Sequence, residues 1–332
     1  MPSKGKLITA ASILAAVMMV AGCGTGQGTT HTAKNKAAAT LNLPVSQHYS
    51  GPVVATYNGG KLTKEEFTQQ YNLQVVLPKM TAQESKTQFL QSYVLFYKYM
   101  YGKAVASDKT PVNVAQAKQL TDQYLKQLVG QQYKTQADLD KEMKTLGVTK
   151  ADYITLAEKG QVLQDYLQQL LKNVKVSDAD AKSYYNAHKL DYLQVTVSEI
   201  LLKTKAQANT IIAELKKDDG KNFAALANKY SQDPGVKTNH GTYANSMAGQ
   251  FVPHFAEACA TLPIGKIGGP VKTRYGYFAM RVDARKQLPF SQVESSIKQQ
   301  LLQPAQNAKE QSIIAAAKKA LDMKMTVKAA DL

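Results

Sequence analysis

The stretch "VTVSEILLKT", Val195–Thr204, alternates as a half-buried β-strand. Val195, Val197, Glu199 and Leu201 fall on one face at period two, and all but Glu199 are apolar. A carboxylate on an apolar face costs free energy unless it is protonated or paired. Glu199 is therefore the residue that an account of this strand has to explain. Beyond the strand, "AQANTIIAELKK" and "NFAALANKYSQDPG" have helical spacing. "GTYANSMAGQFVPHFAEACATLPIGKIGGPV" reads as a Gly/Pro-rich loop, a short helix and a Gly-rich turn, and "TRYGYFAMRVDAR" as a closing strand. Together they predict a compact α/β unit over 193–285. Within it "GKIGGP" is expected to be a turn, since no phosphate-cradling helix signature follows.

Both flanks of this unit read as helical. "PVVATYNGGKLTKEEFTQQYN" predicts a strand over Val53–Tyr57, a turn at Asn58-Gly59-Gly60 and a capping box, Thr63–Glu66, that starts a helix. Phe89, Tyr93, Phe96, Tyr97 and Met100 then recur at helical spacing. Thr149–Asp152 opens a further helix with the stripe Leu163, Tyr166, Leu167, Leu170 and Leu171, and Ser177 opens another. The abundant Tyr and Met residues admit two readings: rings that line a core, or an exposed cradle for unfolded chains. Phe290–Leu321 is again helical, and "MTVKAADL" reads as a last strand. The expected fold class is α+β: a helical domain in two pieces, 51–192 and 286–332, with the α/β unit inserted between them.

The N-terminus, "MPSKGKLITAASILAAVMMVAGCGTG", has a basic start at Lys4 and Lys6 and an apolar run, Leu7–Val20, too short to span a bilayer. The small residues before Cys23 resemble a bacterial lipobox. That predicts a signal peptide over 1–22, lipid on Cys23 and a flexible tether over 23–50. The protein is then exported and held on the extracytoplasmic face of the cell membrane without crossing it. With Cys23 lipidated, Cys259 has no disulfide partner among the two cysteines and reads as a packed small hydrophobe. The net charge of +16 is spread along the chain without a compact basic block. Given export, nucleic acid is excluded as its partner, and anionic lipid, anionic cell-wall polymers or acidic client chains remain. The five histidines have no ligand spacing, so neither metal nor cofactor is expected.

The runs "FAALANKYSQDPG" and "GQFVPHFAEACATLPIGKIGGPVKTRYGYFAMRVDAR" resemble parvulin-type (PpiC-type) peptidyl-prolyl isomerase domains. With the lipobox, the opening "VATYNGGKLTKEEF" and the C-terminal helix, the whole chain resembles the PrsA-type extracytoplasmic foldase lipoproteins of Gram-positive bacteria. The resemblance implies rotamase activity toward secreted clients just after translocation, and it leaves room for a homodimer. It also places the site. The family's strand reads S-H-I-L where this chain has Ser198-Glu199-Ile200-Leu201, and its second histidine position is Phe278. Phe251 stands where the family often has Met, Asp233 takes the place of the Asp or Cys near the substrate carbonyl, and Phe255 that of the proline-pocket aromatic. Both histidine positions being replaced, two functions stay open: a catalytic foldase, or a holdase chaperone whose isomerase domain is decayed. A solute-binding lipoprotein shares the anchor but needs two similar α/β lobes, and only one is evident.

Overall fold

The computed structural model describes residues 49–107 and 112–332. The expected signal peptide, Cys23 and nearly all of the expected tether lie outside the described residues. The chain divides into two compact units: one runs to Asn173 and resumes over Asn307–Leu332, and the other is Val174–Gln306.

In the first unit a small antiparallel sheet, order β2-β1-β7, joins β1 (Val53–Tyr57), β2 (Gly60–Thr63) and β7 (Lys324–Met325). The expected last strand is thus only two residues long; Thr326 extends the pairing by one bond, from its N–H to the Val54 carbonyl (3.0 Å), before the chain turns over Ala329–Asp331. Among the described residues the rest of this unit is helical: α1 (Lys64–Tyr71), α2 (Lys86–Tyr93), α3 (Tyr101–Ser107), α4 (Val114–Gln131), α5 (Gln136–Leu146) and α6 (Lys150–Leu171), with the C-terminal part of the helix Phe290–Leu321. Asn72–Val76 and Val94–Met100 are π-helical continuations of α1 and α2. A wider turn shifts the helical phase locally. Phe89 and Tyr93 in α2, and Phe96, Tyr97 and Met100 in its π-helical continuation, all stay buried.

The tyrosines decide between the two readings of this unit. Tyr71, Tyr93, Tyr97, Tyr133 and Tyr153 are buried, and Tyr93 stacks between Phe89 (5.8 Å between ring centres) and Tyr97 (5.7 Å). The phenols of Tyr133 and Tyr153 donate to the carbonyls of Leu77 (2.7 Å) and Leu73 (2.6 Å), which pairs their polar ends inside the core. Met100 and Met143 are buried as well. The rings therefore line a core, and the exposed-cradle reading does not hold for them. Leu170, expected on the buried stripe of α6, is exposed instead, because the helix's last turn runs past the packed face.

The capping box at Thr63 is half formed. Thr63 Oγ1 accepts from the Glu66 N–H (3.3 Å), but the Glu66 side chain does not return the bond. Its carboxylate turns inward and accepts from Tyr93 Oη (2.9 Å) and Lys98 Nζ (2.8 and 3.0 Å). Glu66 is nearly inaccessible, whereas Lys98 keeps a quarter of its side chain in solvent. Removing one partner of a buried pair typically costs about 3–5 kcal/mol, and the exposure of Lys98 discounts this to roughly 2–3. Glu66→Ala is expected to destabilise the first unit by that amount in denaturant unfolding, with Glu66→Gln in between; a loss below roughly 0.5 kcal/mol would refute the assignment.

The second unit is a four-stranded antiparallel sheet, order β4-β3-β6-β5, of β3 (Leu193–Leu202), β4 (Thr242–Met247), β5 (Ile267–Thr273) and β6 (Gly276–Gln287). On one face of β3 and β6, Leu193, Val195, Val197, Phe278, Met280 and Val282 pack against α11 (Pro253–Thr261) through Phe255 and Cys259. On the other, Ile200, Leu202 and Ala279 pack against α8 (Lys205–Lys217), α9 (Phe223–Tyr230) and, through Val236, the short α10 (Val236–Asn239). The period-two alternation of β3 is as expected, and cover on both faces makes its burial almost continuous. A separate cluster of Tyr185, Leu288, Val293 and Ile297 ties α7 (Asp178–Ala187) to the first half of α12 (Phe290–Leu321).

Two strands differ from expectation. β4 was expected as loop and β5, which contains the GGP of "GKIGGP", as a turn. Both are edge strands, where a missing N–H is tolerated and residues with low strand propensity survive. The β5–β6 register shifts between Gly268 and Val271, so Gly-Gly-Pro sits at an irregularity in the ladder.

Candidate active site

Glu199 lies at the middle of β3, opposite Met280 on β6, with Val197 opposite Val282 and Leu201 opposite Phe278. Its N–H donates to the Gly241 carbonyl (2.7 Å). Its carboxyl is fully buried, and neither oxygen accepts a hydrogen bond. No hydrogen-bond donor among the described residues meets either oxygen. Burial pushes its carboxyl up to about 9, with the adjoining Asp233 carboxylate as the second cause. At neutral pH Glu199 is a carboxylic acid, as an isolated acid in an apolar face must be.

Asp233 is positioned by the turn that follows α9. Gln232 N–H donates to the Leu201 carbonyl (2.9 Å), and Ser231 Oγ accepts from the N–H groups of Leu201 (3.0 Å) and Asp233 (3.3 Å). The end of β3 thus pins the loop directly. The half-buried Asp233 carboxylate accepts from the Gly235 N–H (2.9 Å) and from Tyr243 Oη on β4 (2.5 Å). Burial alone would raise Asp233, but these bonds, with a contribution from Glu199, hold it below the usual carboxylate range. Tyr243 moves the other way, raised by burial and by its bond to Asp233. The two carboxyls adjoin within reach of a hydrogen bond from a protonated Glu199, and their opposite shifts leave one proton and one charge between them.

From Tyr243 a file of rings runs across the site. Tyr243 meets Phe251 edge-on (5.4 Å), Phe251 lies against Phe255 (4.8 Å), and Phe255 meets Phe278 edge-on (5.0 Å). Phe255 and Phe278 are buried, and Phe251 is half-buried at the surface end. The structure thus brings Glu199, Asp233, Phe251, Phe255 and Phe278 into one neighbourhood; Cys23 lies outside the described residues. Tyr243 was missed, because it sits on the edge strand whose sequence, TYANSM, shows no alternation of apolar residues. Cys259 packs in the same cluster, inaccessible, with its thiol pushed up to about 12 by burial.

This arrangement offers an apolar, aromatic wall beside one fixed carboxylate. Such a site suits a change of shape in a substrate that has an apolar ring next to a polar amide. Fold and site together define the class: a parvulin-like peptidyl-prolyl isomerase domain. Residues 168–286 match the PPIC-type PPIASE domain family. Over more of the chain, the foldase protein PrsA of Caldanaerobacter subterraneus subsp. tengcongensis is 30% identical across 263 residues, covering 78% of this chain and 82% of its own length. The foldase protein PrsA of Geobacillus sp. (strain WCH70) is 30% identical across 274 residues, covering 81% and 87%. The chain belongs to the PrsA foldase family. A crystal structure of peptidylprolyl isomerase (PrsA) from Bacillus cereus is similar at 23% identity, covering 82% of this chain and 93% of that one, with a TM-score of 0.40.

Proposed function

We propose that this chain is a membrane-anchored foldase that accelerates cis-trans isomerisation of X-Pro bonds in secreted clients. The observation that carries the reading is the aromatic file Phe251–Phe255–Phe278 ending beside the Asp233–Tyr243 pair. Isomerisation breaks no covalent bond; its barrier, about 18–20 kcal/mol, is the resonance lost when the amide twists. Resonance places negative charge on the carbonyl oxygen of the planar amide. A carboxylate near that oxygen disfavours the planar form more than the twisted one, and a dry pocket for the proline ring strengthens the effect. In this assignment Asp233 supplies the charge, Phe251, Phe255 and Phe278 supply the pocket, and no histidine is required.

In the same reading the limits 51–192, 193–285 and 286–332 delimit the helical, isomerase and C-terminal pieces. Lipid on Cys23 holds them outside the cell membrane, with the basic surface toward anionic lipid and wall polymers. Among the described residues no helix is long and apolar enough to cross a membrane, which is compatible with anchoring through Cys23. Cys23→Ala is expected to move the protein from the detergent phase to the aqueous phase in detergent partitioning of cell extracts; equal partitioning of both forms would refute lipidation.

The holdase alternative draws on Glu199, whose buried acid replaces a histidine-type network. Proline-limited refolding of a model substrate separates the two readings. The full chain is expected to accelerate the slow phase, and Phe251→Ala to reduce that acceleration roughly tenfold while remaining folded, since Phe251 is half-buried. Suppressed aggregation without acceleration of the slow phase would favour the holdase.

A further inference from the structure

Glu199 is the one site residue for which the proposed reaction gives no task. It is inaccessible, so it cannot touch a client, and its backbone alone would hold the strand. A buried glutamate whose oxygens meet no donor is an expensive occupant for a position opposite Met280, where an apolar residue would pack without penalty. From the proposed isomerase reading, we infer that Glu199 is a positioning residue: a neutral carboxylic acid that lends its proton to Asp233 and so keeps Asp233 charged and aimed at the client carbonyl.

The surroundings of Glu199 support this. The groups that act on it electrostatically are Asp233, from the turn after α9, and Tyr243, from β4. β6 faces it with Met280, and the same apolar cluster holds Phe278, Phe255 and the neutral thiol of Cys259. Asp283, the extra residue of β6 where its register with β3 shifts, is engaged elsewhere, by Arg281 Nε (2.5 Å) and Ser198 Oγ (2.7 Å). Among the described residues, no cation acts on Glu199 to neutralise its ionised form. Asp233 already accepts from Tyr243 and the Gly235 N–H, and the acid proton of Glu199 is the third donor in reach. A carboxylate that accepts several hydrogen bonds stays ionised and fixed. If Glu199 loses its proton, two like charges adjoin in an apolar interior, and Asp233 is pushed out of position.

The test is the pH dependence of catalysed proline-limited refolding, from pH 5.5 to 9.5, with the full chain and two variants. The wild type is expected to lose activity on the alkaline side, roughly fourfold between pH 7 and 9.5. Glu199→Gln retains an N–H donor toward Asp233 and is expected to preserve most activity at pH 6 while abolishing the alkaline fall. Glu199→Met offers no donor and is expected to be roughly tenfold slower at pH 6 although at least as stable to heat. Parallel pH profiles for wild type and Glu199→Gln, or full activity in a folded Glu199→Met, would overturn the inference and leave the isomerase reading intact. A wild type inactive at every pH removes the isomerase reading instead. A second readout is independent of turnover: in protein carrying 13C-carboxyl glutamate, Asp233→Asn is expected to lower the titration midpoint of Glu199, and an unmoved midpoint overturns the sharing of the proton.

Discussion

Replacing Gly241 by alanine is expected to unfold the isomerase unit selectively, at a loss of about 2–5 kcal/mol, roughly the sum of left-handed strain and overpacking. Gly241 adopts φ +80°, a region an L side chain enters only with strain. A Cβ built there stands 2.7 Å from the Glu199 carbonyl oxygen and 2.7 Å from the Ala227 side chain, on opposite elements of the unit. Neither can give way easily: one is backbone in the centre of a sheet covered on both faces, the other a buried residue of α9. The Gly241 carbonyl also takes the Glu199 N–H at 2.7 Å, so any displacement breaks a ladder bond at the site itself. The measurement is amide hydrogen exchange across the full chain. Protection in β3 and β6 should collapse, while α2 and α6 of the first unit keep theirs. Retained protection in β3 would show that the turn before β4 can relax, and the rigid placement of Asp233 and Tyr243 would then lose its support.

Gly241 marks where the sequence stops being legible. The alternation of β3 and β6 and the helical spacing of α8, α9 and α11 are carried by apolar residues, because burial of one face dictates them. The edge strands are not, because one side of each faces solvent and their pairing rests on backbone bonds. Ile267–Thr273, with two glycines and a proline, contains nothing that period-two counting can register. The same holds for the site. Phe255 and Phe278 stand out as core aromatics of a helix and a strand, and Glu199 as a charge on an apolar face. Tyr243 does not stand out, since its role depends on which strand lies next to β3. In the helical unit, spacing gave the buried faces but could not tell a tyrosine core from a tyrosine surface. That distinction depends on acceptors such as the Leu73 and Leu77 carbonyls, which only the packed chain supplies. Glu66 shows the limit of motif reading as well: T-x-x-E fits a capping box, yet the carboxylate turns inward to a lysine and a phenol that lie far along the chain.

The second large effect is a stability that falls as pH rises through the neutral range, and its origin is Glu199. In the unfolded chain this carboxyl titrates near 4.5; in the fold it is raised to about 9. Between those values the native state holds a proton that the unfolded state has released. Unfolding free energy then changes with pH by 2.303RT times the protons bound in the unfolded state minus those bound in the native state, which is negative here. The stability contribution is fully present below pH 4.5 and is lost as pH rises toward 9, at a slope of up to about 1.4 kcal/mol per pH unit. Asp233 has the opposite sign, and acts only as pH falls through and below the ordinary carboxylate range, because it is lowered. Cys259, raised to about 12, contributes in the same direction as Glu199 but only above its unfolded value near 9. Of these three groups only Glu199 acts over the interval from pH 5 to 8. Exchange of β3 amides in that interval should show protection decreasing with pH after correction for intrinsic rates. Glu199→Met should flatten the slope and stabilise the unit by about 2 kcal/mol at pH 7, since a side chain of similar volume replaces an acid that favours ionisation in the unfolded chain. A slope that survives this substitution would place the proton elsewhere. A slope that disappears means that the fold gives up stability at neutral pH to keep an acid under the site, a concession that a role for Glu199 in holding Asp233 would account for.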